Sequence, residues 1–581
     1  MKTVASTHFS SGISDFDQSD LDVFSLSAGA NAAGVTIIGN EFDEFLSGGA
    51  GNDIIRGLGG NDILVGGGGA DTLDGGDGID TASYENATIG VIANLTNNVN
   101  NVNDAAGDIY ISIENLRGSA FGDLLVGTDS DNVIEGGGGA DIMIGGLGSD
   151  TASYEHAASG VIANLTDNSS ATIGDAAGDA YGGIENLRGS AFGDLLVGFD
   201  DTNGTDGANV IEGGDGADIM IGGLGIDTLS YEHAGSPVVV SLINNLINTG
   251  DAEGDRYGGF ENIRGSRFDD TLIGDTGDNA LEGGAGGDFL YGGGGNDTAS
   301  YEHASAPVAA NLTNSSFNIG DAAGDVYNNI QNLRGSAFDD ILNGNDNDNI
   351  LEGGAGADAL LGGGGTDTAS YEHSRSVFVY LDGSNPGGGD AAGDTYNNIE
   401  NVIGSSFADF IVGDARDNVI EGGGGGDSMY GGGGIDTGSY AHAKAGVVAN
   451  LADNSANTNE ARADFYNSVE NLIGSSFGDT LIGDKGSNAL DGGRGDDTLT
   501  GAAGNDTFVF RSGFGHDIIT DFTVGQDAIE LHDGLFASSN AALAAATQSG
   551  SDVVVTIDAA DSIVLHNVHL ADLRASDFHV V

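Results

Sequence analysis

The 581-residue chain has no cysteine and no tryptophan, only 3 prolines, and 16 Lys+Arg against 89 Asp+Glu. Without cysteine there are no disulfides and no thiolate metal sites, so whatever staples the fold is not sulfur. The formal net charge of -73 excludes nucleic acid and anionic membrane surfaces as partners. No run is apolar enough or long enough to span a membrane. The opening "MKTVASTHFSSGISDFDQSD" has one lysine and no apolar core, so it does not read as a cleaved secretory signal. A charge of this size makes a compact state repel itself. High charge with low hydrophobicity ordinarily means disorder.

Against these absences stand 104 glycines and a strict period. In "GGAGNDIIRGLGGNDILVGGGGADTLDGGDGIDTASYE" a unit opens every nine residues, at Gly48, Gly57, Gly66 and Gly75. Asp53, Asp62, Asp71 and Asp80 follow five places on, and Ile55, Leu64 and Leu73 come two places after that. Similar groups open at Gly118, Gly189, Gly265, Gly335, Gly404 and Gly474. Tyr84, Tyr154, Tyr231, Tyr301, Tyr371 and Tyr440 mark a super-period of about seventy residues, on the scale of repeat architectures.

Each unit reads as a glycine turn followed by a very short strand with one inward side chain. Two units make one coil, and a coil cannot bury its apolar residues alone, so coils must stack. Stacking also brings the turn aspartates into rows, which repel unless a cation lies between them. Carboxylate and glycine carbonyl oxygens form a hard donor set that suits calcium better than magnesium or the softer metals.

"GGAGNDIIR" and "GGGGADTLD" resemble the GGxGxDxUx nonapeptide of the RTX (repeats-in-toxin) family, and the pattern recurs over most of residues 39–510. The resemblance implies an all-β fold: a right-handed parallel β-roll or β-solenoid of calcium-binding repeats with a C-terminal β cap. In that family the sixth-position aspartate supplies the main side-chain ligand. Carried over, the expected ligands of multiple Ca2+ ions are Asp53, Asp62, Asp71, Asp80, Asp141, Asp150, Asp218, Asp227, Asp288, Asp297, Asp358, Asp367, Asp427, Asp436, Asp497 and Asp506. Units with asparagine in this slot, such as those of Asn132, Asn279, Asn349 and Asn418, depart from the pattern and should hold weaker sites or none.

The sequence divides into an N-terminal cap (1–38), a first repeat group (39–84), alternating spacers and repeat groups (85–510), and a C-terminal cap and secretion region (511–581). Spacers such as "GVIANL" followed by "YGGIENLRGS" read as further coils without calcium turns; the rival is a hairpin or bulge protruding from the roll. The recurring "GDAAGD" reads as a solvated acidic turn, with a further calcium site as the alternative. His156, His233, His303, His373 and His442 read as surface or packing residues, and Arg117, Arg188, Arg264 and Arg334 as partners of nearby acids.

The last seventy residues, with "DTFVF", "DFTVGQD" and a terminal "DFHVV", resemble the type I secretion target region of RTX proteins. "VVVTI" and "SIVLHNV" read as capping strands. There is no HExxH, no GxSxG elbow and no phosphate loop. The expectation is therefore a secreted, extracellular or cell-surface calcium-binding protein that is not an enzyme. Its expected partners are calcium, the type I secretion apparatus, and an extracellular polysaccharide or cell surface. The alternative is a polysaccharide-acting enzyme of epimerase or lyase type, working in a groove of the solenoid.

Overall fold

The computed structural model describes residues 34–166, 173–199 and 207–581, together with the strands Thr7–His8, Asp15–Asp17 and Ser25–Ser27. The remainder of the expected N-terminal cap lies outside the described residues. The chain forms two compact units, Met1–Asp297 and Thr298–Val581.

Each unit is a parallel β-solenoid built from strands mostly three residues long, too short to stand alone. In the first unit, Leu46 pairs with Leu64 and Leu64 with Ala82 on one side of the roll. On the other side Ile37 pairs with Ile55 and Ile55 with Leu73. The offset is eighteen residues, two nonapeptides per coil. The middle residue of each strand points inward, and Ile55, Leu64, Leu73 and Ala82 are fully buried. The second unit repeats this register, as in Leu333–Leu351 and Leu351–Ala369.

The spacers fall between the two expected arrangements. Ala82 pairs directly with Leu116, so the first side of the roll is uninterrupted and the spacer makes one enlarged coil there. On the other side the spacer gives two strands to two different sheets: Ile109–Ile111 closes on Thr72–Asp77, and Ile92–Asn94 opens a new sheet on Leu124–Val126. Between them the chain doubles back through two 3-10 turns, with an antiparallel bridge from Ile92 to Val102. The same bridge recurs at Val239–Thr249, Ala309–Ile319, Phe378–Gly388 and Val448–Thr458.

At the C-terminal end His516–Ile519 pairs in parallel with Ser562–Leu565, which continues antiparallel through Asp552–Thr556 to Ala546–Ser549. This hairpin covers what would otherwise be an open strand edge. A short helix of about two turns, Ser539–Ala545, is capped by the Ser538 side chain accepting from the Ala541 N–H.

Because Leu64 is wholly enclosed, Leu64→Ala should destabilise by about 2–5 kcal/mol. Leu64→Asp should cost more, since a charge would enter the stack unpaired. Thermal unfolding of both variants in calcium checks the inward assignment; an unchanged melting temperature for Leu64→Asp would refute it.

Candidate metal centre

The turns stack so closely that glycine is required on steric grounds. Gly67 (φ 88°) and Gly69 (φ 145°) lie over the carbonyl oxygens of Gly49 and Gly51 one coil earlier, where a Cβ would collide. The first glycine of each unit has a different task. A Cβ on Gly48 would run into Asp53 Oδ2 and come within 2.8 Å of the Gly66 carbonyl oxygen. Gly57 stands in the same way between Asp62 Oδ2 and the Gly75 carbonyl. A carboxylate oxygen of one coil and a carbonyl oxygen of the next thus share the space left by the missing side chain.

The sixth-position aspartates form two ladders running up the turns. Asp53 N–H donates to Asp71 Oδ1 at 2.7 Å, and Asp71 N–H donates to Asp108 Oδ1 at 2.9 Å. On the other side Glu44 N–H donates to Asp62 at 2.8 Å, Asp62 N–H to Asp80 at 2.7 Å, and Asp80 N–H to Glu114 at 2.8 Å. One oxygen of each carboxylate therefore braces the coil before it. The other does not. Oδ2 of Asp53, Asp62, Asp71, Asp80, Asp141, Asp150, Asp218, Asp358, Asp367, Asp427, Asp436 and Asp497 is buried with no hydrogen-bond partner. Asp227, Asp288, Asp297 and Asp506 occupy the same ladder position, accepting from the N–H of Asn209, Asp270, Asn279 and Asn488.

Two other kinds of sixth position are complete without any ion. The first unit of each later group, such as "GSAFGD" or "GSSFGD", puts serine at the second place. Ser119 donates through its N–H at 2.6 Å and its hydroxyl at 3.0 Å to Asp123 Oδ2, while Val91 N–H satisfies Oδ1. Asp194, Asp270, Asp340, Asp409 and Asp479 are held alike by Ser190, Ser266, Ser336, Ser405 and Ser475. Where asparagine takes the slot, its amide replaces both roles. Asn132 accepts from Thr128 N–H at 2.6 Å and donates to the Glu114 carbonyl at 2.5 Å. Asn279, Asn349 and Asn418 repeat the pattern.

An unpaired buried carboxylate oxygen costs about 1–3 kcal/mol, and more when charged, so it calls for a proton or a cation. Burial, the largest cause, and neighbouring carboxylates together outweigh the lowering backbone hydrogen bond and push these groups up: Asp62 and Asp71 to about 7, and Asp141, Asp218 and Asp358 to about 8. Among the described residues no three His, Asp or Glu side chains converge on one point. Each turn therefore offers one or two carboxylates and otherwise backbone carbonyls, an all-oxygen set that fits calcium.

Sequence reasoning missed the second aspartate of "GDAAGD". Far from a solvated turn, Asp179, Asp255 and Asp325 are buried, and so are Asp108 and Asp464 in the corresponding "NDAAGD" and "NEARAD". Asp108 ends the ladder below it and accepts from the Tyr84 hydroxyl at 2.8 Å. Tyr154, Tyr231, Tyr301, Tyr371 and Tyr440 do the same for Asp179, Asp255, Asp325, Asp394 and Asp464. The super-period tyrosines are thus the ladder's terminators, and a tyrosine and an aspartate 23–25 residues apart were the available signal. The arginines do pair with acids: Arg117 bridges Glu135 (2.8 Å) and Glu85 (3.4 Å), with His156 on Glu135 at 3.1 Å. His233, His373 and His442 likewise face Glu212, Glu352 and Glu421.

Asp71→Asn should remove one calcium from the titrated stoichiometry, whereas Asp123→Asn should leave the stoichiometry intact and lower only stability. Calorimetric titration of the two variants decides; equal stoichiometry for Asp71→Asn and the parent chain would reject the assignment. A pH effect also follows. The folded, metal-free chain holds protons on Asp71 and Asp141 up to about 7 and 8, against 3.8 for the ordinary group. The folded state therefore binds more protons than the unfolded state in that window. In chelator, stability should be highest near pH 4 and fall as pH rises through 7–8. Melting curves that improve with rising pH in chelator would contradict this.

The family described as the RTX calcium-binding nonapeptide repeat (4 copies) matches residues 38–73, 47–82, 117–152, 198–229, 264–299, 334–369, 403–437 and 473–508. No curated protein matches. Among solved structures, the chain is similar to the extracellular lipase LipA from Serratia marcescens, at 17% identity and a TM-score of 0.17. The match covers 59% of this chain and 42% of the lipase, so the chain spans less than half of that protein's length. The repeats, their register and the oxygen-lined turns agree: the chain carries RTX calcium-binding nonapeptide repeats in groups along its length, consistent with an RTX-family protein.

Proposed function

We propose that this is a secreted, non-enzymatic protein that folds on binding calcium outside the cell and serves a surface, matrix or adhesive role. The observation that carries the reading is the row of buried carboxylate oxygens with no protein partner. A chain of net charge -73 that buries such oxygens holds together poorly until cations arrive. Extracellular modules bind calcium at about 10⁻⁴–10⁻³ M, so cytosolic calcium would leave the turns unfilled. The chain would then stay loose enough for a type I export channel, with residues 511–581 as the segment the apparatus reads. Outside, a ligand at ten times its dissociation constant contributes about 1.4 kcal/mol per site, and a dozen such sites exceed the usual net stability of a domain. Each ladder rung braces the coil before it, so filling one turn orders the next, and binding is cooperative.

Circular dichroism during a calcium titration tests this. A steep, chelator-reversible gain of β signal is expected with calcium, and none with magnesium at equal concentration. Full β structure and an unchanged melting temperature in chelator would defeat the proposal.

A further inference from the structure

The middle residue of each short strand builds the core, and in the sheet that begins with Phe378–Tyr380 the flanking positions remain at least partly exposed. In the second unit one super-repeat uses them for a continuous aromatic strip. Strands Phe378–Tyr380, Phe410–Val412, Ser428–Tyr430 and Phe465–Asn467 lie side by side in parallel. Their inward residues, Val379, Ile411 and Met429, are fully buried. Outward, Phe378 stacks on Phe410 (centroids 6.2 Å, 30° between planes), and Tyr380 also meets Phe410 at 5.7 Å. Phe410 meets Tyr430 at 5.0 Å, and Tyr430 meets Phe465 at 5.7 Å. Phe378 and Phe465 are 48% and 43% exposed, so the strip faces solvent.

Two comparisons within the chain show that the fold does not require it. The preceding super-repeat fills the column of Phe378 and Phe410 with Ala309, Ile341, Ala359 and Thr395 and has Asn311 and Leu361 in place of Tyr380 and Tyr430, and the following one has Val448, Thr480 and Thr498 in the first column and Asn450 and Thr500 in the second. The residue bridged to Phe378 is Gly388, where the preceding copy has an exposed Ile319. A Cβ at Gly388 would lie 3.0 Å from Phe378 Cδ2, so the glycine keeps that ring uncovered. Four separate segments and a spacer glycine depart together from the repeat.

We infer that this strip is a binding platform for a neutral glycan chain, an inference that rests on the surface or matrix role proposed above and names its ligand class. Four strands about 4.8 Å apart and three residues deep bound a strip on the order of 150 Å². A stable protein partner or second copy buries about 800 Å² per side, so the strip is too narrow for either. Solvent-accessible aromatic rings favour flat, CH-rich surfaces with hydroxyls at their edges, which is the character of a pyranose ring. The centroid steps of 5.0–6.2 Å match about one sugar per ring along a chain. Ser428 and exposed Asn467 lie in the same outward columns and supply hydrogen bonds beside the rings. The net charge of -73 excludes a polyanionic glycan.

Calorimetric titration of the calcium-loaded full chain with cellohexaose, chitohexaose and hexagalacturonate tests this. At least one neutral hexasaccharide should bind and hexagalacturonate should not. The double variant Phe410→Ala/Tyr430→Ala should lose at least tenfold in affinity, while Ile341→Ala in the preceding copy should lose nothing. Both variants should keep the calcium-induced β signal, because the substituted side chains face outward. Full calcium-induced folding with no binding of either neutral hexasaccharide overturns the inference and leaves the calcium reading standing. So does equal binding by the double variant, or a dimer in sedimentation that the double variant abolishes. Glycan binding without a calcium response overturns the calcium reading alone.

Discussion

In the calcium-type turns of Asp53, Asp71, Asp141 and their like, the protein satisfies only one oxygen of a buried carboxylate. That oxygen accepts the backbone N–H one coil earlier and so fixes the spacing and register of the stack, as Asp71 does for Asp53. The other faces the carbonyl of a neighbouring coil across the gap over a glycine, as Asp53 Oδ2 and the Gly66 carbonyl do at Gly48. Two oxygens that border the same desolvated gap repel unless a positive charge or a proton intervenes. The rest of the architecture depends on that conflict. The inward aliphatic residues give a core only one side chain thick, which cannot by itself offset the repulsion of so acidic a chain.

The chain places these demanding turns selectively. Every later repeat group opens with a serine-satisfied aspartate and follows it with a self-contained asparagine, as in Asp123 and Asn132, before the half-satisfied Asp141 and Asp150. Ladders that meet a spacer end on its carboxylates, as on Asp179 held by Tyr154 or Glu185 accepting from Asp150 N–H, and those of the last group end on Asp517 and Asp527. Metal-dependent turns thus alternate with turns the protein closes unaided.

Much of this was legible in the sequence because the nonapeptide is a local code: glycine, aspartate and one aliphatic residue each map to a single geometric role. The sixteen sixth-position aspartates all lie on the ladders. What stayed hidden depends on contacts between coils. The burial of Asp108 follows from its place above Asp71, 37 residues away, and no local pattern shows it. The difference between Asp123 and Asp141 hinges on one neighbouring side chain, serine for glycine, which was visible but had no meaning until the hydroxyl was seen to close the carboxylate. The spacer's doubling back depends on an antiparallel bridge, and the Ser538-capped helix interrupts a segment that otherwise reads as strand. The aromatic strip draws one or two residues from each of four strands, so it emerges only when the coils are stacked.

The central claim is that partnerless carboxylate oxygens, and not sixth-position aspartates in general, mark where calcium sits. Anomalous scattering from crystals grown in calcium tests it most directly. The account predicts anomalous peaks beside Asp71, Asp80, Asp141 and Asp150, and none beside Asp123 or Asn132. Peaks distributed equally over Asp123 and Asp141, or none beside Asp141, would contradict it.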